Sequence, residues 1–266
     1  MSWEHPVDVV VTVDHDAETA AMQAGRRGPS MTGIGDFGAN IGMPRLLDAL
    51  GSRGIAATVF VPGWVAEQRP ESVQAAAAAG HEIAAHGYLH EYPASLMDAG
   101  EERMVISRAI DALVAVTGTR PVGYRPPGSR YSDWTVGLLC DLGFRYGSAT
   151  QDDDGASLPE GRPVPLAEIP CHWQLCDDLY GWQDDVRMSP GQVEDTWMSE
   201  LEAIGRYPGR AFVLTVHPHQ VGHPGRMAVL ERVLDRAHSL GARFRTCEQI
   251  AAELLADGRG SADIES

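Results

Sequence analysis

The chain has 266 residues, 44% hydrophobic and 22% charged, with a formal net charge of −16. These are globular values, so a disordered chain is excluded and one large domain or two small ones are allowed. A surface this acidic repels phosphates, which argues against nucleic acid or an anionic membrane as partners. No apolar run reaches the roughly 18 residues that a membrane span needs. The start, Met1-Ser2-Trp3-Glu4-His5-Pro6, lacks the basic stretch and apolar core of a secretory signal. Cys140, Cys171, Cys176 and Cys247 are too few and too scattered for a disulfide framework, so the expected setting is reduced and cytoplasmic.

In chain order, residues 7–13 form a dense β-branched run, as expected of a parallel strand buried on both faces. The Gly-rich stretch 25–42 reads as a long loop, and 44–53 as a helix with Pro44 in its first turn. Strands follow at 57–61 and 82–85, with a helix at 71–79 between them that Gly80 stops. Residues 101–116 read as an amphipathic helix, 122–124 as a strand and 134–142 as a helix. The region 151–170, with Asp152-Asp153-Asp154 and scattered prolines, is poor in periodic structure. A helix at 189–207, a strand at 211–216 and a helix at 226–240 come next. A short strand at 242–245 and a helix at 246–255 close the chain, with Thr246 as N-cap. Alternating strands and helices give about seven or eight βα units, the pattern of an α/β barrel of roughly 250 residues. The polar stretch 257–266 reads as a flexible tail.

In such barrels the chemistry sits at the C-terminal ends of the strands. Four strands here end in ionisable groups. The first runs into Asp14-His15-Asp16, and alternation along a strand lets Asp14 and Asp16 point one way while His15 points elsewhere. The third ends at His86, with His90 four residues on. On a helical turn that spacing would let two imidazoles reach one ion; two histidines four apart are by themselves more often surface or capping residues, but the strand ends carrying Asp14, Asp16, Arg125 and His217 reverse that balance. A carboxylate from another strand would complete a two-His, one-carboxylate set with open positions, suited to catalytic Zn²⁺ or another divalent first-row ion. The remaining carboxylate can then act as a base. The fourth strand ends at Arg125, which beside a buried carboxylate would hold it ionised. The strand at 211–216 ends at His217, whose imidazole could protonate a leaving group.

Thr12-Val13-Asp14-His15-Asp16, His86 to His90, Gly123-Tyr124-Arg125-Pro126-Pro127-Gly128 and Leu214-Thr215-Val216-His217 occur in that order. Together they resemble the motifs T-F-D-D, H-x3-H, R-x-P and L-x-x-H of the polysaccharide deacetylase family, also called the NodB-homology or carbohydrate esterase 4 family. The resemblance spans most of the chain. It implies a single-domain distorted (β/α)7 barrel over residues 1–256 and a divalent metal, with Zn²⁺ favoured. It also implies roles: Asp14 as general base, Asp16, His86 and His90 as metal ligands, Arg125 orienting Asp14, and His217 as general acid.

Two features depart from the family pattern. A residue separates the first-motif aspartates, and the family's D-x-x-W motif has no clean counterpart; Asp133-Trp134 and 178–182 are candidates with the wrong spacing. The inserted residue, the His-Gly-x-x-His-Glu form and the run 217–226 resemble one branch of the family. That branch holds intracellular peptidoglycan-deacetylase-like proteins, cyclic imide hydrolases and metal-independent allantoinases. It implies a homo-oligomer, with a tetramer favoured. The expected reaction is hydrolysis of a non-peptide C–N bond. A small cyclic imide or ureide is preferred as substrate, because the chain is acidic and shows neither a signal nor an appended carbohydrate-binding domain. An N-acetyl sugar or peptidoglycan is the alternative, and a non-catalytic binding protein on the same fold a further one, against which the full set of polar groups argues.

Other residues have plainer readings. Cys171-His172 with Cys176 is half a zinc pattern, and the thiols read as ordinary buried residues. Trp173, Tyr180 and Trp182 lie among acidic residues and are candidates for a pocket wall, for core or for a subunit contact. His81 is expected to pack beside a strand, and Glu91 to support the ligand before it by hydrogen bonding.

Overall fold

The computed structural model describes residues 3–162, 164–181 and 187–258. Among the described residues eight strands are present: β1 (Asp8–Asp14), β2 (Thr58–Val61), β3 (Glu82–Ala85), β4 (Gly123–Tyr124), β5 (Tyr146–Gly147), β6 (Ala167–Glu168), β7 (Ala211–Val216) and β8 (Arg243–Phe244). They form one parallel sheet in the order β6-β5-β4-β3-β2-β1-β7. β8 pairs with the first two residues of β1, below the point where β2 joins at Thr12. The path from β6 round to β7 is that of a distorted (β/α)7 barrel. Among the described residues no ladder joins β6 to β7. The segment 171–180 lies across that seam and touches β7 through one parallel bridge, Cys176 to Thr215.

Side-chain alternation along β1 separates two apolar layers. Val9, Val11 and Val13 pack outward with the surrounding helices, among them Leu46, Val65, Ile106 and Leu230. Val10 packs with Phe60, Ala84, Tyr146, Ala167 and Val213, one residue from each of five other strands. Cys247, Ile250 and Ala251 of the helix Cys247–Asp257 join that second cluster. Thr246 caps this helix in a reciprocal box with Gln249, as its sequence predicts. At β4 the chain admits only glycine, since a Cβ on Gly123 would lie 1.8 Å from the Tyr146 ring.

Two readings of the sequence are corrected here. The stretch 25–42 is largely helical and not a loop: the helix Pro29–Phe37 continues through a wide turn, Gly38–Gly42, into the helix Met43–Gly51. Gly38 and Gly42 serve close packing. A Cβ on Gly38 would sit 3.1 Å from His219 Cβ, and one on Gly42 would sit 2.0 Å from the Pro218 carbonyl oxygen. The absent side chains let this helix press against the turn that follows β7. β5 and β6, two residues each, were too short to leave an alternating pattern. At the C-terminus the last helix runs to Asp257 with Gly258 as its left-handed cap, so a tail would begin later than 257; residues 259–266 lie outside the described residues. Among the described residues no helix is long and apolar enough to cross a membrane.

Candidate active site

The C-terminal ends of the strands enclose a cavity of about 360 Å³ lined by Asp14, Asp16, His86, His90 and His217, with Thr215 deeper in. Asp14 ends β1, and its carboxylate accepts a 2.8 Å bond from Arg125 Nη1. Arg125 is fully buried. It also donates to Thr12 and Ser148 hydroxyls and lies 4.2 Å over the Phe60 ring. Burial alone would weaken the guanidinium as a base, but the adjoining Asp14 carboxylate raises its pKa instead. The guanidinium therefore stays charged, and its bond holds Asp14 in one orientation.

Asp16 lies just beyond β1 on the same side as Asp14. His15 points away, its Nε2 2.8 Å from Ser72 Oγ, as alternation predicts. Asp16 Oδ1 is 3.5 Å from His86 Nε2, and Oδ2 is 3.5 Å from His90 Nε2. Burial opposes ionisation of Asp16, yet His90, His86 and His217 hold its carboxyl well below the usual range. His86 Nδ1 donates to the Arg125 carbonyl at 2.8 Å, since that oxygen can only accept. Burial lowers the His86 pKa, so the ring is neutral and turns the Nε2 lone pair toward Asp16. Burial works against a His90 imidazolium too, but Asp16 outweighs it and raises the His90 pKa.

His86 and His90 do not sit on a helical turn. Gly87 (φ 69°) and His90 (φ 63°) are both left-handed, and the loop between them folds over the Glu91 carboxylate. Glu91 Oε2 accepts from the backbone N–H of Tyr88 at 3.0 Å and of Leu89 at 2.8 Å. Glu91 thus braces the loop between His86 and His90 through Tyr88 and Leu89, and not through a bond to His90 itself. The three left-handed non-glycine residues among those described, Ala17, His90 and Ser129, all border this pocket or directly follow a residue that does. Such conformations cost energy and persist where the surroundings impose them.

Asp16, His86 and His90 offer one ligand atom each within 4.8 Å of one another, all buried. Asp16 Oδ1 has no hydrogen-bond partner, and a neutral His86 Nε2 has only a lone pair to offer it. Two acceptors facing each other without a shared proton suit a cation between them. The donor set, two imidazoles and a carboxylate, fits a divalent first-row ion.

Across the cavity, His217 follows β7 directly. Its Nδ1–H donates to Asp177 Oδ1 at 2.6 Å, and its backbone N–H to Asp177 Oδ2 at 2.8 Å. Burial disfavours a charged His217, but Asp177 and Asp178 outweigh it and hold the pKa well above the ordinary value. Its Nε2 faces Asp16 Oδ2 at 3.6 Å. Asp177 is therefore the main group that tunes His217, and Asp178, at the start of the candidate stretch 178–182, adds to it from 4.0 Å. Of the other expected candidates, Trp134 is an exposed residue outside the cavity, and Trp182 lies outside the described residues. Asp177 had no spacing signal, because it sits in irregular chain and is placed only by closure of the seam.

The remaining candidates divide. Trp173, 68% exposed, stands at the cavity, whereas Tyr180 is buried edge-on to Trp197. Cys171 and Cys176 line the cavity, and Cys247 packs in the barrel interior. His172 donates to the Asp153 carbonyl instead of completing a zinc set with Cys171. His81 Nδ1 accepts from the Ala57 N–H and so packs beside β2 and β3. His219, missed by sequence reasoning, also lines the cavity, its pKa lowered to about 3 by burial and then by His217.

Fold and site together define a barrel hydrolase with a buried cluster suited to a divalent ion. A family model described as polysaccharide deacetylase matches residues 35–147, which include His86, His90 and Arg125. The solved structure of a polysaccharide-deacetylase-type protein from Mycobacterium smegmatis is 33% identical, with a TM-score of 0.86, covering 97% of this chain and 94% of its own. A peptidoglycan deacetylase of Helicobacter pylori is 28% identical over 293 residues, covering 96% of this chain and 98% of that protein. The structure of an allantoinase, 23% identical with a TM-score of 0.84 over 94% and 90% of the two chains, shares the fold. The chain belongs to the polysaccharide deacetylase family, whose members hydrolyse carbon–nitrogen amide bonds.

Proposed function

We propose that this chain hydrolyses a non-peptide amide bond with the help of one divalent ion held by Asp16, His86 and His90. The mixed imidazole and carboxylate set, buried yet opening on the cavity, favours Zn²⁺. When bound, such an ion supplies Lewis acidity toward water and an amide carbonyl. Asp14 takes the proton of the attacking water at its carboxylate, which Arg125 orients. His217 gives the proton on Nε2 to the departing nitrogen, and Asp177 steadies the imidazolium through Nδ1. The observation that carries this reading is the convergence of an Arg-paired carboxylate, an Asp–His–His cluster and an Asp-paired histidine on one cavity.

The substrate we favour is a small cyclic imide or ureide. A cup of about 360 Å³, walled by Gly128–Arg130 on one side and 171–178 on the other, matches a small ring. The relatives described as peptidoglycan deacetylases support a second reading, an N-acetyl sugar, for which exposed Trp173 and Tyr92 offer ring faces. Turnover of succinimide-like and dihydropyrimidine-like rings against N-acetylglucosamine oligomers separates the two. Faster turnover of the rings supports the first reading, exclusive turnover of the oligomers the second, and turnover of neither rejects both.

Residues 1–256 act as one catalytic unit in this account. We also propose a homo-oligomer, a tetramer by branch resemblance, in a reducing compartment that suits four free thiols. Light scattering that returns a stable 28.7 kDa species at micromolar concentration contradicts the assembly.

A further inference from the structure

We infer that the seam side of the cavity holds a second cation site, made by Cys176, Asp177, Asp178 and His217, which takes a thiophilic divalent ion and thereby disables His217. Each of these four residues offers a ligand atom within 4.8 Å of the other three. The single bridge from Cys176 to Thr215 brings the thiol to the end of β7, beside His217. Cys176, Asp178 and His217 all line the cavity, so a dissolved ion can reach them. Asp178, whose side chain is 55% exposed, is 4.0 Å from His217 Nδ1.

The two clusters differ in softness. Asp16, His86 and His90 contain no sulfur, whereas the seam cluster adds a thiol to an imidazole and two carboxylates. Sulfur ligands select Zn²⁺ and Cd²⁺ over Mg²⁺ or Ca²⁺. Binding breaks the Cys176 S–H bond and forms a sulfur–metal bond, releasing a proton to solvent. His217 likewise gives up its Nδ1 proton to solvent and bonds the ion through that nitrogen. It keeps a proton on Nε2 but is no longer an imidazolium with a proton to transfer near neutral pH. The Asp177 carboxylate exchanges its His217 hydrogen bond for the ion. Excess zinc would then inhibit the enzyme through residues distinct from those that hold the first ion.

Full-length protein stripped by chelator is titrated with Cd²⁺ alone, following thiolate-to-cadmium charge-transfer absorption. The expected result is two ions per chain, with absorption rising as the seam site fills. Cys176→Ser and Cys176→Ala should each bind one ion without that absorption, while Asp16→Asn should keep it. In turnover, Cys176→Ser should raise the zinc concentration that halves each protein's own rate by at least about tenfold, the lower end for a lost metal-site partner. A single ion in the wild type, or absorption that survives in both Cys176 variants, overturns the site. Cadmium binding is read without substrate, so it fails or stands independently of the proposed hydrolysis.

Discussion

On the wall formed by β1, β3 and β4, each polar group sits at a strand end or within a few residues of it. Asp14 ends β1, His86 and Arg125 each follow a strand directly, and their backbone N–H groups bond to neighbouring strands, His86 to Val61 and Arg125 to Ala85. On the opposite wall only His217 has such a position. Asp177 and Cys176 come from a segment of short helical turns tied to β7 by one bridge and by the hydrogen bonds of Asp177 itself. One wall is placed by sheet register and the other by closure of a seam. The wall proposed to hold the ion should therefore respond to mutation in an all-or-none way, whereas the wall proposed to carry the acid should respond by degrees.

The largest effect is expected at Asp16. Asp16→Asn removes the carboxylate that lies 3.5 Å from both His86 and His90, so in a Cys176→Ser background, which closes the seam site, metal analysis should find the ion lost and turnover at background. Retention of a full equivalent of metal would break the comparison at its strongest point. Next, Asp14→Asn should keep the metal and lower kcat by about 10²–10⁴-fold, the usual span for a general base.

On the acid wall, Asp177→Asn should lower kcat and move the alkaline limb of the pH–rate profile. The sign follows from the raised pKa of His217: its acid form is present below that pKa and is lost as pH rises through it. Without the Asp177 charge the pKa falls, so the alkaline limb should move to lower pH. Every tenfold gain in acidity of the imidazolium corresponds to about 1.4 kcal/mol of lost support. An unmoved limb would mean that Asp177 only positions the ring.

The smallest effect is expected at Gly87. An alanine there must adopt a left-handed conformation with its Cβ 3.3 Å from the Glu91 carboxylate. Thermal unfolding should show a loss of roughly 1–2 kcal/mol. A neutral result would mean that the loop relaxes freely and does not constrain His90.

The same contrast explains how much was legible in the sequence. β1, β2, β3, β4 and β7 announce themselves as β-branched or apolar runs, and the polar residues at their ends follow from barrel geometry. Asp14, Asp16, His86, His90, Arg125 and His217 could thus be named from the chain, and the structure brings five of them to one cavity, with Arg125 buried behind Asp14. Asp177 could not be singled out, because nothing periodic tells which of several acids in an irregular segment folds against β7. The helix at 29–37 was hidden for a different reason. Its glycines, with Gly38 and Gly42 after it, mimic a loop, and only the approach of Glu18 to Gly35, His219 to Gly38 and Pro218 to Gly42 shows what they are for. The left-handed His90 was likewise hidden, since the spacing of two histidines carries no backbone angle.

The most direct test of the account is His217→Ala assayed on two amides with the same acyl group, one with a basic leaving nitrogen and one with an activated leaving group. If His217 delivers the departing proton, the variant should keep its metal and lose about 10²–10⁴-fold on the basic amide, while losing far less on the activated one. Equal slowing of both would contradict the acid role and leave His217 as a group that positions the substrate.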